Sequence, residues 1–384
     1  MSSSRLMVVG GGIGGLAAAI ALREAPVETV VFERASDLAR LELGAGITLW
    51  PNAVRVLERL GVAQEVRELG WVLDCMEQRT ARGRRLARWP LQPMAARLGV
   101  PALGVSRPVL HAALARVAAE HVQISSECTG FEQDEAGVTA SLGDGRSERG
   151  TLLIGADGLH SKIRATLLGS RPPRASGLGM WRAKVELDER DMPAGTFMVY
   201  SGAAARFVYF RSGPQQLSWE AIVARPDGEQ VPAGGRIPAV LERYAGWPDE
   251  ILRIVRSTAE QGVAYTEVVD RPPDKRWGEG RVTLLGDAAH PMTYAVGQGA
   301  AQALEDGIVL AETLRRQGAC SAALRAYEQR RMRRTAHFQK MAWRLARLGL
   351  AASPFSCAAR NAFVTSTSLI GLRMQERDMA ASKV

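Results

Sequence analysis

Only four of the 384 residues are cysteine (Cys75, Cys128, Cys320 and Cys357), and they lie far apart with no CxxC pair. That spacing argues against zinc, iron–sulfur clusters and a redox dithiol, and fits a reducing cytosol. No cluster of metal-ligating residues and no Ser/His/Asp arrangement stands out. Nowhere do about 18 or more apolar residues run together, so no membrane-spanning helix is expected. Aromatic residues make up only 6% of the chain. They do not alternate with the arginines as a stacking platform for nucleic acid would require. No unit recurs at a fixed period, which excludes a solenoid or a propeller. The first 25 residues have the outline of a signal peptide, with Arg5 before an apolar run, but cleavage there would destroy a glycine pattern that has a better use.

What is present is ordinary globular composition: 46% hydrophobic and 23% charged residues, over a length that favours two domains. The formal charge of +9 comes from arginines spread along the chain, dense only at Arg330–Arg334. That cluster reads first as the solvated face of a C-terminal helix, and second as an attraction for an anionic nicotinamide or acidic substrate. Trp343–Ala352 is amphipathic and is expected to pack on the body of the protein, membrane-surface contact being the alternative.

Three segments carry chemistry. Leu6–Val9 is a short apolar strand followed by Gly10, Gly12 and Gly15 in GxGxxG spacing, an alanine-rich helix, and a second strand, Thr29–Phe32, ending in Glu33. The first glycine permits a tight turn, the second lets backbone approach a pyrophosphate, and the third lets helix and strand pack closely, while the acid suits a ribose. Val282–Leu285 reads as a buried strand that runs into Gly286-Asp287, then a loop, then Gly297-Gln298-Gly299 opening a long apolar helix. An acid just past a buried strand accepts hydrogen bonds from ligand hydroxyls, and a glycine turn at a helix start offers free amides with the positive end of the helix dipole. Together the two ends suit FAD. The third segment, Thr151–Arg164, again runs an apolar strand into Gly-x-Asp-Gly at Gly155–Gly158, with Ser161 and Arg164 on a following helix. Alone, Asp157-Gly158 is more commonly a turn.

In this order, with Gly44–Asn52 and Ser106–Leu114 at matching places, the chain from Gly10 to about Arg360 resembles the class A, single-component flavoprotein aromatic hydroxylases of the para-hydroxybenzoate hydroxylase fold group. The resemblance implies an α/β fold: a Rossmann-like (GR2-type) FAD-binding domain from residues 1–73, 98–175 and 271–350, and a β-sheet substrate domain from 74–97 and 176–270. Residues 351–384 are expected to form a C-terminal helical tail. Strand-like pieces at Phe197–Tyr200, Arg206–Phe210 and Leu217–Val223 suit that sheet. Only one complete strand–GxGxxG–helix unit occurs, since Gly177–Arg182 lacks a third glycine, so a separate nicotinamide domain is not expected.

By the same resemblance, Gly10, Gly12 and Gly15 hold the pyrophosphate of a non-covalent FAD, with Glu33 on the adenosine ribose and Arg34 beside it. Gly46 and Arg107 belong to the cofactor site, a surface ion pair being the alternative for Arg107. Asp157 handles FAD and NAD(P)H, and Asp287 takes the ribityl hydroxyls. Gly297, Gln298, Gly299, Ala300 and Ala301 offer amides to the pyrimidine edge; many relatives carry Asn where this chain has Ala301, and a small residue there leans toward heteroaromatic substrates. Pro291 is expected near the flavin face where a C4a-hydroperoxyflavin forms from NAD(P)H and O₂, with His290 as a catalytic candidate or a helper in the loop's hydrogen bonding. Tyr209, Met292 and Tyr294 are candidate substrate contacts, with structural core as the alternative for each. The implied function is hydroxylation of a small aromatic or heteroaromatic molecule in the cytoplasm, by a monomer or dimer with no nucleic-acid partner and no integral membrane association. An epoxidase or other oxygenase on the same scaffold, or a non-oxygenating FAD-dependent reductase, is the alternative.

Overall fold

The structure is a computed structural model and describes residues 4–38, 45–225, 235–349 and 351–382; Gly44 of the second matching segment lies outside them. Its organising layer is a five-stranded sheet in the order Val282–Leu284, Leu152–Gly155, Ser4–Val9, Val27–Phe32 and Val122–Gln123. Every neighbouring pair is parallel. Parallel strands covered on both faces read as continuous apolar runs, and Leu6–Val8, Leu152–Ile154 and Val282–Leu284 are all fully buried. Because all strands point the same way, their C-terminal ends share one edge. Three segments distant in sequence therefore deliver Gly10, Asp157 and Asp287 to that edge, with Glu33 from the fourth strand.

Two helices cover this sheet side by side, Ile13–Leu22 and Gly299–Gln317. A Cβ on Gly14 would lie 3.2 Å from the Ala303 Cβ, and one on Gly307 would lie 2.8–3.0 Å from the backbone of Ala17 and Ala18. The contacts ascend together along both helices, so the pair runs parallel and brings its two N-termini to the same side. Small residues make this possible, since larger ones would hold the axes apart.

The second large layer is a seven-stranded sheet: Ala264–Asp270, Arg174–Glu186, Gln216–Ala224, Ala205–Arg211, Thr196–Ser201, Cys75–Thr80 and Arg85–Pro90. It is antiparallel apart from the pairing of Thr196–Ser201 with Cys75–Thr80. Alternation divides it cleanly. Trp181, Tyr200, Phe207, Tyr209 and Trp219 face a core shared with the helices Arg236–Arg243 and Asp249–Arg256. Met180, Val199, Val208, Phe210 and Ile222 face the opposite way and pack with Trp50 and Leu73. Gly177–Arg182 belongs to a strand of this sheet, with a bulge between Ala175 and Leu178.

A small antiparallel sheet, Gly46–Leu49, Ala102–Ser106 and Trp71–Leu73, joins the two layers. The Gly46 amide donates to Ser218 Oγ at 2.7 Å, and a Cβ at Gly46 would lie 2.4 Å from that oxygen. The chain ends in two long helices, Ser321–Leu348 and Pro354–Ala380. The second is tied down by Arg360 donating to the Gly202 carbonyl at 2.7 Å and by Arg55 donating to the Met379 carbonyl at 2.7 Å. Among the described residues no helix is long and apolar enough to cross a membrane.

The parallel helix pair yields a direct test. Gly307→Val places a branched side chain against immovable backbone, and overpacking of this kind costs about 1–3 kcal/mol. Denaturant unfolding should show a loss at the upper end of that range. A variant as stable as the parent would mean the helices are not in this register.

Candidate active site

The common edge of the parallel sheet is open at its centre. Gly10 turns the chain with φ +109°, and a Cβ there would lie 2.5 Å from the Ala156 carbonyl, so only glycine fits. Two residues on, a Cβ at Gly12 would meet nothing within 4 Å. Gly12 caps the helix Ile13–Leu22 without a side-chain hydrogen bond, and no acid occupies the first turn. Glu33 is buried, accepting from the Gly11 amide (2.7 Å) and the Ala35 amide (2.7 Å), so its carboxylate shapes the loop while keeping lone pairs in reserve. Arg34 and Arg107 are exposed at the rim.

Asp157 works at two ends. Its Oδ2 accepts from the amides of Lys162 (2.7 Å) and Ile163 (3.2 Å) and so caps the helix Lys162–Leu168. Its Oδ1 is buried without a hydrogen-bond partner. Arg164 on that helix donates to the Ala288 carbonyl at 3.0 Å, fastening the Asp157 segment to the Asp287 corner. Asp287 itself opens to solvent and makes no hydrogen bond among the described residues. Protein nevertheless surrounds it: burial raises its carboxyl above the ordinary range, His290 and Arg107 pull it down, and Asp306 pushes it up. A carboxylate that is both enclosed and accessible lies on the floor of a cleft.

At the start of the helix Gly299–Gln317 the first turn again contains no acid and the cap no side-chain bond, and a Cβ at Gly299 would meet open space. Gly297 adopts φ +60° against the Trp50 indole, whose Nε1 is buried and unpartnered. The other expected members of this turn face inward. Gln298 is buried and bonded to Asn52 and Gln302, and Ala301 is buried in the main core. They hold the turn in shape and leave the ligand side to backbone, with Ala300 partly buried beside them.

The residues that fix this corner were not legible beforehand. Asp306 is fully buried and accepts from the Gly286 amide (3.0 Å) and from Arg331 Nε (2.6 Å), and it pairs with His290 Nε2 (2.6 Å). Glu305 accepts from Arg331 (2.7 Å), Arg334 (2.7 Å) and Asn52 (2.8 Å). The Arg330–Arg334 cluster is therefore not simply a solvated face. Arg331 is buried, Arg334 reaches Glu305, and Arg330 pairs with Glu312 at 2.9 Å. The helical periodicity that separates Arg331 and Arg334 from Arg333 was the available signal.

His290 is correspondingly a support. Its ring is fully buried between Asp306 and Trp277, the placement expected of a helper in the loop's hydrogen bonding. Pro291 is buried, and its carbonyl accepts from the Gln339 amide at 3.3 Å. Tyr209 needs a larger correction. It lies on the outer face of the seven-stranded sheet, 3% exposed, beside Tyr200 and Phe207. Strand alternation turns it away from the cleft, while its neighbours Val208 and Phe210 face inward. Met292 is half-buried, and Tyr294 packs against the inner-face cluster with Trp50 and Met180.

A scan against known families matches residues 4–342 to a family described as FAD binding domain. The chain is 34% identical over 359 residues to aurachin C monooxygenase/isomerase of Stigmatella aurantiaca, covering 92% of each protein. It is 33% identical over 346 residues to an FAD-dependent urate hydroxylase of Klebsiella pneumoniae, covering 85% of each. Among solved structures, Klebsiella pneumoniae HpxO complexed with FAD and uric acid superposes with a TM-score of 0.92 at 28% identity, over 98% of this chain and 97% of that one.

The buried network makes stability depend on acid in a defined direction. Burial pushes the Glu305 carboxyl up, but Arg331 and Arg334, with Asn52, outweigh it and hold it at about 2, below the ordinary 4.5. A depressed carboxylate contributes stability that is complete above 4.5 and is lost as the pH falls toward 2. Arg331→Met leaves Glu305 and Asp306 without their shared partner and should cost about 3–5 kcal/mol at neutral pH. Unfolding measured from pH 7 to 3 should show the variant losing less of its remaining stability to acid than the parent; parallel pH profiles would refute the assignment.

Proposed function

The chain belongs to the FAD-binding-domain family, and on that premise we propose that it is a flavoprotein monooxygenase that consumes NAD(P)H and O₂ to hydroxylate a small heteroaromatic ring. The observation that carries this reading is the geometry of one edge. Two parallel helices present uncapped N-termini there, next to an enclosed, unbonded Asp287 and an orphaned Asp157 oxygen. Open space lies where Cβ atoms of Gly12 and Gly299 would be. The residues present fit an extended cofactor with an anionic diphosphate, a polyol and a ring that becomes negatively charged on reduction.

In this reading the amides after Gly12 hold the diphosphate, and Glu33 adds ribose hydroxyls to the amides it already binds. Asp287 accepts from the ribityl chain, and the amides of Gly299, Ala300 and Ala301 face the pyrimidine edge. FAD bound there supplies hydride acceptance from NAD(P)H and activation of O₂ for insertion into an electron-rich ring. The chain's own contribution is positioning and electrostatics. Two aligned helix dipoles favour negative charge at the edge without any rearrangement during the reaction. Trp50, which meets Gly297 at this edge, packs with Met180, Phe210 and Tyr294 in one apolar cluster that would keep bulk water from a ring held beside it. We further propose that residues 1–73, 98–175 and 271–350 act as the cofactor domain and that 74–97 with 176–270 act as the substrate domain.

Two experiments test the reading. Purified protein should be yellow and release FAD on denaturation. A heteroaromatic substrate should stimulate NAD(P)H oxidation with matching O₂ uptake and a product heavier by one oxygen atom; oxidation indifferent to every ring compound and to O₂ would sink it. Separately, Asp287→Ala should weaken FAD retention roughly tenfold or more, as expected for loss of charge-assisted bonds worth about 1.5–3 kcal/mol. Asp157→Ala should keep more flavin but lose about 1 kcal/mol of stability with its helix cap. Equal flavin loss in both variants would show that the roles are misassigned.

A further inference from the structure

The inner face of the seven-stranded sheet is largely apolar, with Lys184 and Ser218 paired in one row and a second set of charged side chains in the rows beside it. Arg182 lies directly across from Glu220 in the strand pairing, and Glu220 lies across from Val208. Arg206 pairs with Ile222, one row further along the same face. All three charged residues are only partly exposed. Among the described residues none of their side chains makes an ion pair, and Nε of Arg182 and Nε of Arg206 are buried and unpartnered. The buried Tyr294 hydroxyl lies close enough to Arg206 to interact with it, short of a well-formed hydrogen bond. The Glu220 carboxyl feels all of this: burial raises it above the ordinary range, and Arg182 and Arg206 pull it back.

Buried charges left unbonded are costly. An acid flanked by two guanidinium groups, yet bonded to neither, is a recognition set waiting for a third party. Two ligand chemistries compete. A carboxylated ring would satisfy the arginines but would leave Glu220 without a donor and place a second anion beside it. A cyclic amide or vinylogous amide satisfies both signs at once, its oxygen accepting from the arginines and its ring N–H donating to Glu220. The surrounding Met180, Val208 and Phe210 suit a planar ring, with Phe197 stacked on Phe210 at 5.4 Å between centroids.

We propose that Arg182, Arg206 and Glu220 select a heteroaromatic substrate that carries a ring N–H donor and a conjugated carbonyl oxygen, as a cyclic amide or its vinylogous form does. This inference rests on the monooxygenase reading of the same cleft and names its substrate class. Tyr294 contributes a further hydroxyl next to the oxygen-binding side.

Binding of 4-quinolone, N-methyl-4-quinolone and 4-hydroxybenzoate to the FAD-loaded protein provides the test, followed by calorimetry and by perturbation of the flavin spectrum. 4-Quinolone should bind tightest. N-methylation removes the donor to Glu220 and should weaken binding roughly ten- to a hundredfold, the span of one charge-assisted hydrogen bond. In Glu220→Gln, with flavin content and melting temperature checked against the parent, that gap between the two quinolones should shrink severalfold, because the amide oxygen accepts without charge. Tighter binding of 4-hydroxybenzoate, no binding of 4-quinolone, or an N-methyl gap of unchanged size in Glu220→Gln would each overturn the proposal. The comparison of the two quinolones in the parent protein stands even if the variant does not fold. A protein that binds 4-quinolone in calorimetry but never couples NAD(P)H oxidation to O₂ would refute the monooxygenase reading while leaving the recognition set intact.

Discussion

The Asp306 carboxylate is the point on which the geometry of the cleft depends. It sits on the long helix Gly299–Gln317 but grips the preceding loop through the Gly286 amide and His290, and it grips the next helix through Arg331. One buried group therefore fixes the corner that presents Asp287, the helix that presents the Gly299 amides, and the distance between them. Glu305 extends the same lattice to Asn52 and thereby to the Trp50 wall of the cleft. Isolated buried charges are expensive, and a pair need not stabilise a protein more than apolar residues of the same size would. What such a lattice supplies is a single arrangement. Slippage by one helical turn would leave Arg331 facing no acid, so alternatives carry a penalty that an apolar contact could not impose.

The second constraint is the parallel packing of two helices whose like poles lie together. Neighbouring N-termini repel each other, and neither helix offsets this with an acid or a side-chain cap. The fold tolerates the arrangement because Gly14, Gly307 and the alanines facing them allow close packing and extensive burial. A bound anion relieves the repulsion at both ends at once, which makes the edge a better anion site than either helix alone. The same feature that costs stability thus favours a ligand that carries negative charge near both helix starts.

The parallel sheet and its edge were legible because they are written in local patterns. Apolar runs ending in glycine or acid mark strands that stop at a ligand, and three such runs in order define one edge. The strands of the second sheet were visible in their alternation, but which phase faced inward was not. Tyr209 shows the reason: alternation divides a strand into two faces, and nothing in Phe207–Phe210 says which face meets a cleft when both are apolar. Trp219 and Tyr244 claim one side only once the helices Arg236–Arg243 and Asp249–Arg256 are in place. The arginine cluster failed for a related reason. A charge run is normally solvated, and only the long-range partners Glu305 and Asp306 pull Arg331 inside. His290 was equally ambiguous, because its role depends on Asp306, 16 residues away.

These observations divide the site into two halves with different tolerances. The proposed cofactor edge consists of backbone amides, glycines and carboxylates set by the parallel sheet, so changing it means changing the fold. The proposed substrate set uses side chains on alternate positions of antiparallel strands, whose opposite positions belong to a separate core. Arg182 can be exchanged without touching Trp181 or Ala183, and Glu220 without touching Trp219 or Ala221. A sheet with two independent faces allows specificity to change while stability is held by the other side. That explains why the motifs of the first half identify a family, whereas the identity of the ring must be sought in three charged residues of the second.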